Sequence, residues 1–124
     1  VGALYSRAHI FVRARVKAKD RFQEETQGVV LQEAQAAGRI TIATATGGIP
    51  ECIDDGVAGF LVEDRSADQL SEKIGFVMSN EDQWQAWQDA SLKWVQQEFS
   101  VEVIGKQTWG VYGQVLSNLG TRAR

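Results

Sequence analysis

Two short runs of apolar and β-branched residues, His9-Ile10-Phe11-Val12 and Ile40-Thr41-Ile42-Ala43-Thr44, flank an alanine-rich helical segment from Val29 to Ala37 that closes on Gly38. This order constrains the chain more than any other feature. A strand covered on both faces reads as a continuous apolar run, and two such strands joined through a helix make the βαβ unit of a parallel sheet. Gly38 suits the position just past a helix, where left-handed backbone is favoured. A third run, Gly59-Phe60-Leu61-Val62, adds a shorter strand, so the expected fold class is α/β, with about three parallel strands and flanking helices.

The connections carry their own signals. Residues 13–27 form a polar loop between the first strand and the helix. Gly47-Gly48-Ile49-Pro50-Glu51 suits a turn that opens a short helix with proline near its first position, and Asp55-Gly56 marks a turn before the third strand. The second half is helical. Ser66-Ala67-Asp68-Gln69 has capping-box spacing ahead of Leu70, Ile74 and Val77. Trp84, Trp87, Trp94 and Val95 share one stripe of the next helix, to about Phe99, and read as packing residues rather than sugar-stacking platforms. Ser100 caps a last helix with the stripe Val101, Ile104, Val111, Tyr112, Val115 and Leu119. Gly105, Gly110 and Gly113 each weaken it by roughly 1 kcal/mol relative to alanine. The domain is expected to span residues 1–119, with 120–124 as a disordered tail.

Composition removes several function classes. One cysteine, Cys52, and one histidine, His9, cannot assemble a zinc site. Both read as packed structural residues. No apolar run reaches the roughly 18 residues of a membrane span. The net charge of −3 is uneven: residues 1–23 hold six Lys/Arg and one acid, and residues 24–124 hold seven Lys/Arg and fifteen acids. The basic run of Arg7, Arg13, Arg15, Lys17, Lys19 and Arg21 is either a solvated face or a surface for phosphate groups. The acidic remainder argues against a nucleic-acid partner. No nucleophile-elbow serine or Walker-type phosphate loop occurs.

The stretch with most chemical content is Glu25-Thr26-Gln27-Gly28-Val29-Val30-Leu31-Gln32-Glu33, two carboxylates separated by seven residues with a glycine where the helix begins. If Gly28 opens that helix, its first amides face the C-terminal edge of the sheet, where an anion such as a diphosphate is stabilised. Glu25 then lies in the loop beside the anion, and Glu33 about one turn down the helix. Each carboxylate can accept a pair of hydroxyl protons, as recognition of a sugar and a ribose requires. Taken alone, the pair also fits two surface acids.

The run from Glu25 to Ala37, with Ile42-Ala43-Thr44, Gly47-Gly48-Ile49-Pro50-Glu51 and Asp55-Gly56-Val57-Ala58-Gly59-Phe60-Leu61-Val62, resembles the C-terminal domain of glycosyltransferase family four. These are retaining enzymes of the GT-B architecture, with two Rossmann-like domains facing a cleft. The resemblance begins near Tyr5-Ser6-Arg7-Ala8-His9-Ile10-Phe11-Val12 and extends to about Leu116. Gln32-Glu33-Ala34-Gln35-Ala36 and Ala18-Lys19-Asp20 are most similar to the exopolysaccharide and colanic-acid type. The resemblance implies a catalytic role for Glu25 on the hydroxyls of the transferred sugar. It implies that Thr26, Gln27 and Gly28 approach the donor sugar and diphosphate, that Val29 lies with them in the donor site, and that Val30 and Leu31 border the same pocket. Glu33 would hold the ribose. The Gly47-Gly48 pair would keep a nearby turn compact. No metal or other cofactor is implied beyond a UDP- or GDP-linked sugar donor.

The departures are specific. Thr26 stands where the family usually has glycine, and Ala14-Arg15 where it usually has Pro-Ser. The loop is about one residue longer than in close relatives, which makes Glu24 a competitor for the first glutamate. The resemblance also implies partners: upstream strands with diphosphate-neutralising Arg and Lys residues, and an N-terminal acceptor domain. Without them the chain is expected to be inactive alone and to self-associate through an open sheet edge and an uncovered last helix. Cytoplasmic localisation is expected, with peripheral contact at the inner face of the membrane through the basic segment. Two competing readings stand: a non-catalytic nucleotide-sugar-binding module, and a Rossmann-like packing or oligomerisation domain without ligand.

Overall fold

The computed structural model of the chain describes residues 2–16 and 28–122. A short helix α1 (Gly2–Tyr5) leads into β1 (Ile10–Arg13), followed by α2 (Val29–Ala36) and β2 (Ile40–Thr44). A 3-10 turn (Ile49–Cys52) precedes β3 (Phe60–Val62). Then come α3 (Ala67–Ser79), a second 3-10 turn (Glu81–Gln83), α4 (Trp84–Phe99) and α5 (Val101–Arg122). The strands form one parallel sheet in the order β1-β2-β3. Ile10 to Arg13 pair with Ile40 to Ala43, and Ile42 to Thr44 with Phe60 to Val62. The expected α/β class with three parallel strands and flanking helices is therefore observed. β1 begins one residue later than expected: the His9 ring lies tilted against Trp84, 5.2 Å between centroids, and Arg13 joins the ladder opposite Ala43.

All five residues of the central strand β2 are buried, as a parallel strand covered on both faces requires. On one face Ala43 joins Leu31, Ile49, Cys52 and Ile53, with Phe11 and Leu61 packed against them. On the other, Ile40 and Ile42 join Phe60, Val62 and Val77, backed by Leu70, Ile74, Trp84 and Trp87. Trp84, Trp87 and Trp94 pack as the sequence suggests. Trp84 Nε1 donates to the Val77 carbonyl at 2.7 Å, Trp94 Nε1 donates to that of Cys52 at 3.1 Å, and Trp87 meets the Phe60 ring edge to face. Bonding the indole N–H removes the cost of burying it and fixes α4 against two separate elements.

Local signals explain the element boundaries. Gly38 adopts φ +68 just past α2, and Pro50 lies in the first turn of the 3-10 helix. Ser66 caps α3 by accepting from the Gln69 amide. The reciprocal half of a capping box is absent, because Gln69 Oε1 accepts from the Glu63 amide instead. α5 runs unbroken through Gly105, Gly110 and Gly113 to Arg122, so residues 120–122 continue the helix beyond Leu119. It packs mainly against α4, and Val101, Ile104, Trp109, Val111, Tyr112, Val115, Leu116 and Leu119 are exposed.

Candidate functional site

In an open parallel sheet the carboxyl ends of the strands and the helix N-termini that follow them converge on one edge, where ligands bind. α2 supplies that edge here. Gly28 is its N-cap and no side chain caps it; Leu31 and Gln32 amides bond back to the Gly28 carbonyl, which leaves the N–H groups of residues 28–30 without an acceptor inside the helix. The place that a Gly28 Cβ would take lies 2.7 Å from Ile49 Cδ1. The missing side chain thus lets α2 approach the turn after Gly47-Gly48, which ties those glycines to the start of the helix.

α2 presents two faces. Leu31, Ala34 and Gln35 point into the sheet and are fully buried, whereas Val29, Val30 and Glu33 are exposed. Leu31, expected beside Val30 at the pocket, is instead a core residue. Helical periodicity decides this: positions 31, 34 and 35 share the sheet-facing stripe, and 29, 30 and 33 the opposite one. Gly28, Val29, Val30 and Glu33 are brought together at the helix start. Glu24, Glu25, Thr26 and Gln27 lie outside the described residues.

Tyr5 was not among the site residues expected from sequence, yet its hydroxyl sits over the first two turns of α2. It donates toward the Val30 carbonyl at 3.2 Å and toward Glu33 Oε2 at 3.4 Å. Burial, and then the nearby Glu33 carboxylate that the phenol hydrogen-bonds, raise the Tyr5 pKa above its ordinary value. The phenol is therefore a proton donor throughout the neutral range. Nothing in the local sequence signals this contact, because it joins residues 28 apart in sequence.

The carboxyl edge continues past β1 and β2. Thr44, at the end of β2, clamps the segment after β1: its hydroxyl accepts from the Arg15 amide at 2.9 Å and donates to the Arg15 carbonyl at 2.7 Å. The Thr46 hydroxyl, one residue before the glycine pair, is buried and has no hydrogen-bond partner among the described residues. A hollow of about 350 Å³ opens between the segment after β1, Thr44 and the start of α3 at Arg65 to Ala67, apart from Gly28 and Glu33. Cys52 is buried, its thiol directed at the Gly48 carbonyl, in the packing role expected of it. Among the described residues no three His, Cys, Asp or Glu side chains converge as metal ligands, and no helix is long and apolar enough to cross a membrane.

Comparison with known proteins returns the same region of fold space. The family model described as glycosyl transferases group 1 matches residues 1–94. A D-inositol 3-phosphate glycosyltransferase of Streptomyces griseus is 32% identical over 100 residues, 81% of this chain and 21% of that protein. The crystal structure of a glycosyltransferase from Rickettsia africae superposes with a TM-score of 0.79 at 29% identity, covering 93% of this chain and 29% of that one. Anabaena HepE, crystallised with UDP-glucose, superposes with a TM-score of 0.75 at 21% identity, covering 90% of this chain and 29% of HepE. The chain thus spans about a fifth of the curated relative and less than a third of the solved neighbours.

Proposed function

Since the chain belongs to the glycosyl transferases group 1 family, we propose that it is the C-terminal, donor-binding domain of a retaining glycosyltransferase that moves a sugar from a UDP- or GDP-linked donor to an acceptor. The observation that carries this reading is the start of α2: uncapped first-turn amides at the carboxyl edge of the sheet, with the Glu33 carboxylate exposed on the same helix face as Val29 and Val30. The amides and the positive end of the helix stabilise the donor diphosphate. Glu33 accepts the ribose hydroxyls. Glu25 holds hydroxyls of the transferred sugar, and Thr26, Gln27 and Gly28 lie along the donor. The chemistry asked of the domain is positioning and charge stabilisation. We assign the whole enzyme to envelope polysaccharide assembly at the cytoplasmic face of a membrane, on the similarity to the exopolysaccharide type.

Titration calorimetry of the chain with UDP, GDP, ADP and their sugar conjugates tests the reading. Binding of one base class is expected. Failure of all of them, for this chain and for a longer protein that contains it, would overturn it. Thr26→Gly in that longer protein separates an enzyme from a non-catalytic binding module, since transfer should rise if the threonine crowds a working site.

The uncovered apolar stripe of α5 makes the isolated chain self-associate through a second copy. At micromolar concentration, sedimentation should show species larger than a monomer, and Trp109→Lys with Leu116→Lys should return a monomer. A monomeric profile for the unmodified chain would exclude this.

A further inference from the structure

We propose that Tyr5 is a positioning residue for the donor ribose: it holds the Glu33 carboxylate in one orientation, so that Glu33 meets the two ribose hydroxyls already aligned. The inference rests on the reading of Glu33 given above and adds a residue from a different element to it.

Glu33 is exposed on the second turn of α2. A glutamate in that setting samples several rotamers, and fixing it upon binding costs conformational entropy. Among the described residues its hydrogen-bond partner is Tyr5, through Oε2. Tyr5 is itself held. Its ring meets Phe11 at an angle of 60° with centroids 5.9 Å apart, and Phe11 packs against the buried cluster of Leu31, Ala43, Ile49, Cys52 and Ile53. The same phenol proton is shared with the Val30 carbonyl one turn earlier, which sets the hydroxyl over the solvent-facing side of the helix. A continuous line of contacts therefore leads from the sheet, through Phe11 and Tyr5, to the carboxylate.

The arrangement leaves acceptor capacity where a ribose needs it. A carboxylate offers about four lone-pair sites. Tyr5 uses one of them on Oε2; Oε1 and the rest of Oε2 remain to accept two hydroxyl protons. Since α1 lies ahead of β1 and α2 behind it, the device also couples the ribose site to the docking of α1.

A structural role alone, in which Tyr5 merely fastens α1 to α2 through the Val30 carbonyl, predicts a different pattern, and the ligand can separate the two. The experiment titrates the unmodified chain, Tyr5→Phe, Glu33→Ala and the double variant with whichever of UDP, GDP and ADP binds best, and with its 2′,3′-dideoxy counterpart. Tyr5→Phe keeps the ring against Phe11 and removes only the hydroxyl. It should weaken the ribonucleotide by about three- to fivefold, leave the Kd for the dideoxy ligand within about twofold, and add nothing in the Glu33→Ala background. Equal weakening for both ligands, a further loss in the Glu33→Ala background, or no loss at all overturns the assignment of Tyr5. An unchanged ribonucleotide Kd in Glu33→Ala overturns instead the reading of Glu33 on which it rests.

Discussion

Glu33→Ala should weaken the preferred nucleoside diphosphate by tenfold or more, about 1.4 kcal/mol, while leaving the melting temperature of the chain nearly unchanged. Hydrogen bonds to an ionised group contribute roughly 1.5–3 kcal/mol each when well made. At a solvent-exposed helix face water screens and competes, so two such bonds to a ribose together contribute what one well-made bond does, about 1.4 kcal/mol. The side chain is exposed and lies outside the buried clusters, so its removal opens no cavity in the core. Glu72, exposed on α3, is the matched control: its replacement by alanine should leave the same Kd unaltered. Calorimetry on the three proteins decides. A Glu33→Ala variant that binds as tightly as the unmodified chain would reduce Glu33 to a surface acid and favour a packing domain without ligand.

Much of the framework was legible because it depends on local pattern. The apolar and β-branched run from Ile40 to Thr44 is a central parallel strand with the same limits in the structure, and Gly38 ends α2 as its position suggests. The edges of β1 were less so, since the end of a ladder is set by what faces it: His9 gives the sheet only its carbonyl, which accepts from the Ile40 amide, and Ala43 pairs with Arg13. The site divides in the same way. Gly28 and Glu33 were placed by the expected helix start, Val29 and Val30 only by the resemblance, and helical periodicity, which sets 29, 30 and 33 on the exposed face, moves Leu31 to the core. Tyr5 and the Thr44 clamp on Arg15 were not legible, because each joins segments that only the βαβ packing brings together. The apolar stripe of α5 was legible as a stripe, but periodicity alone does not say whether anything covers it.

Gly59→Ala should cost about 3 kcal/mol or more of folding stability, the sum of a strained backbone and an overlap that has nowhere to relax. Gly59 sits at φ +154, where an L side chain is disfavoured, and its Cβ would fall within contact of the Thr41 hydroxyl and 2.9 Å from the Thr41 carbonyl oxygen. Thr41 is a fully buried residue of β2, and its carbonyl belongs to the strand backbone. Movement there would disturb a strand packed on both faces. Gly28→Ala is the instructive contrast: its φ of −86 is ordinary, and the obstacle is the far end of the Ile49 side chain, which can turn away. That substitution should cost under about 1.5 kcal/mol. Urea unfolding measures both, and for a domain of this size the Gly59 variant should also melt roughly 10 °C lower. Adding Thr41→Ala to Gly59→Ala removes the hydroxyl overlap but neither the carbonyl contact nor the backbone strain, so the pair should show favourable coupling with only partial recovery. A Gly59→Ala variant within about 1 kcal/mol of the unmodified chain would mean that β2 can shift, and with it Thr44 and the carboxyl edge on which the donor reading depends.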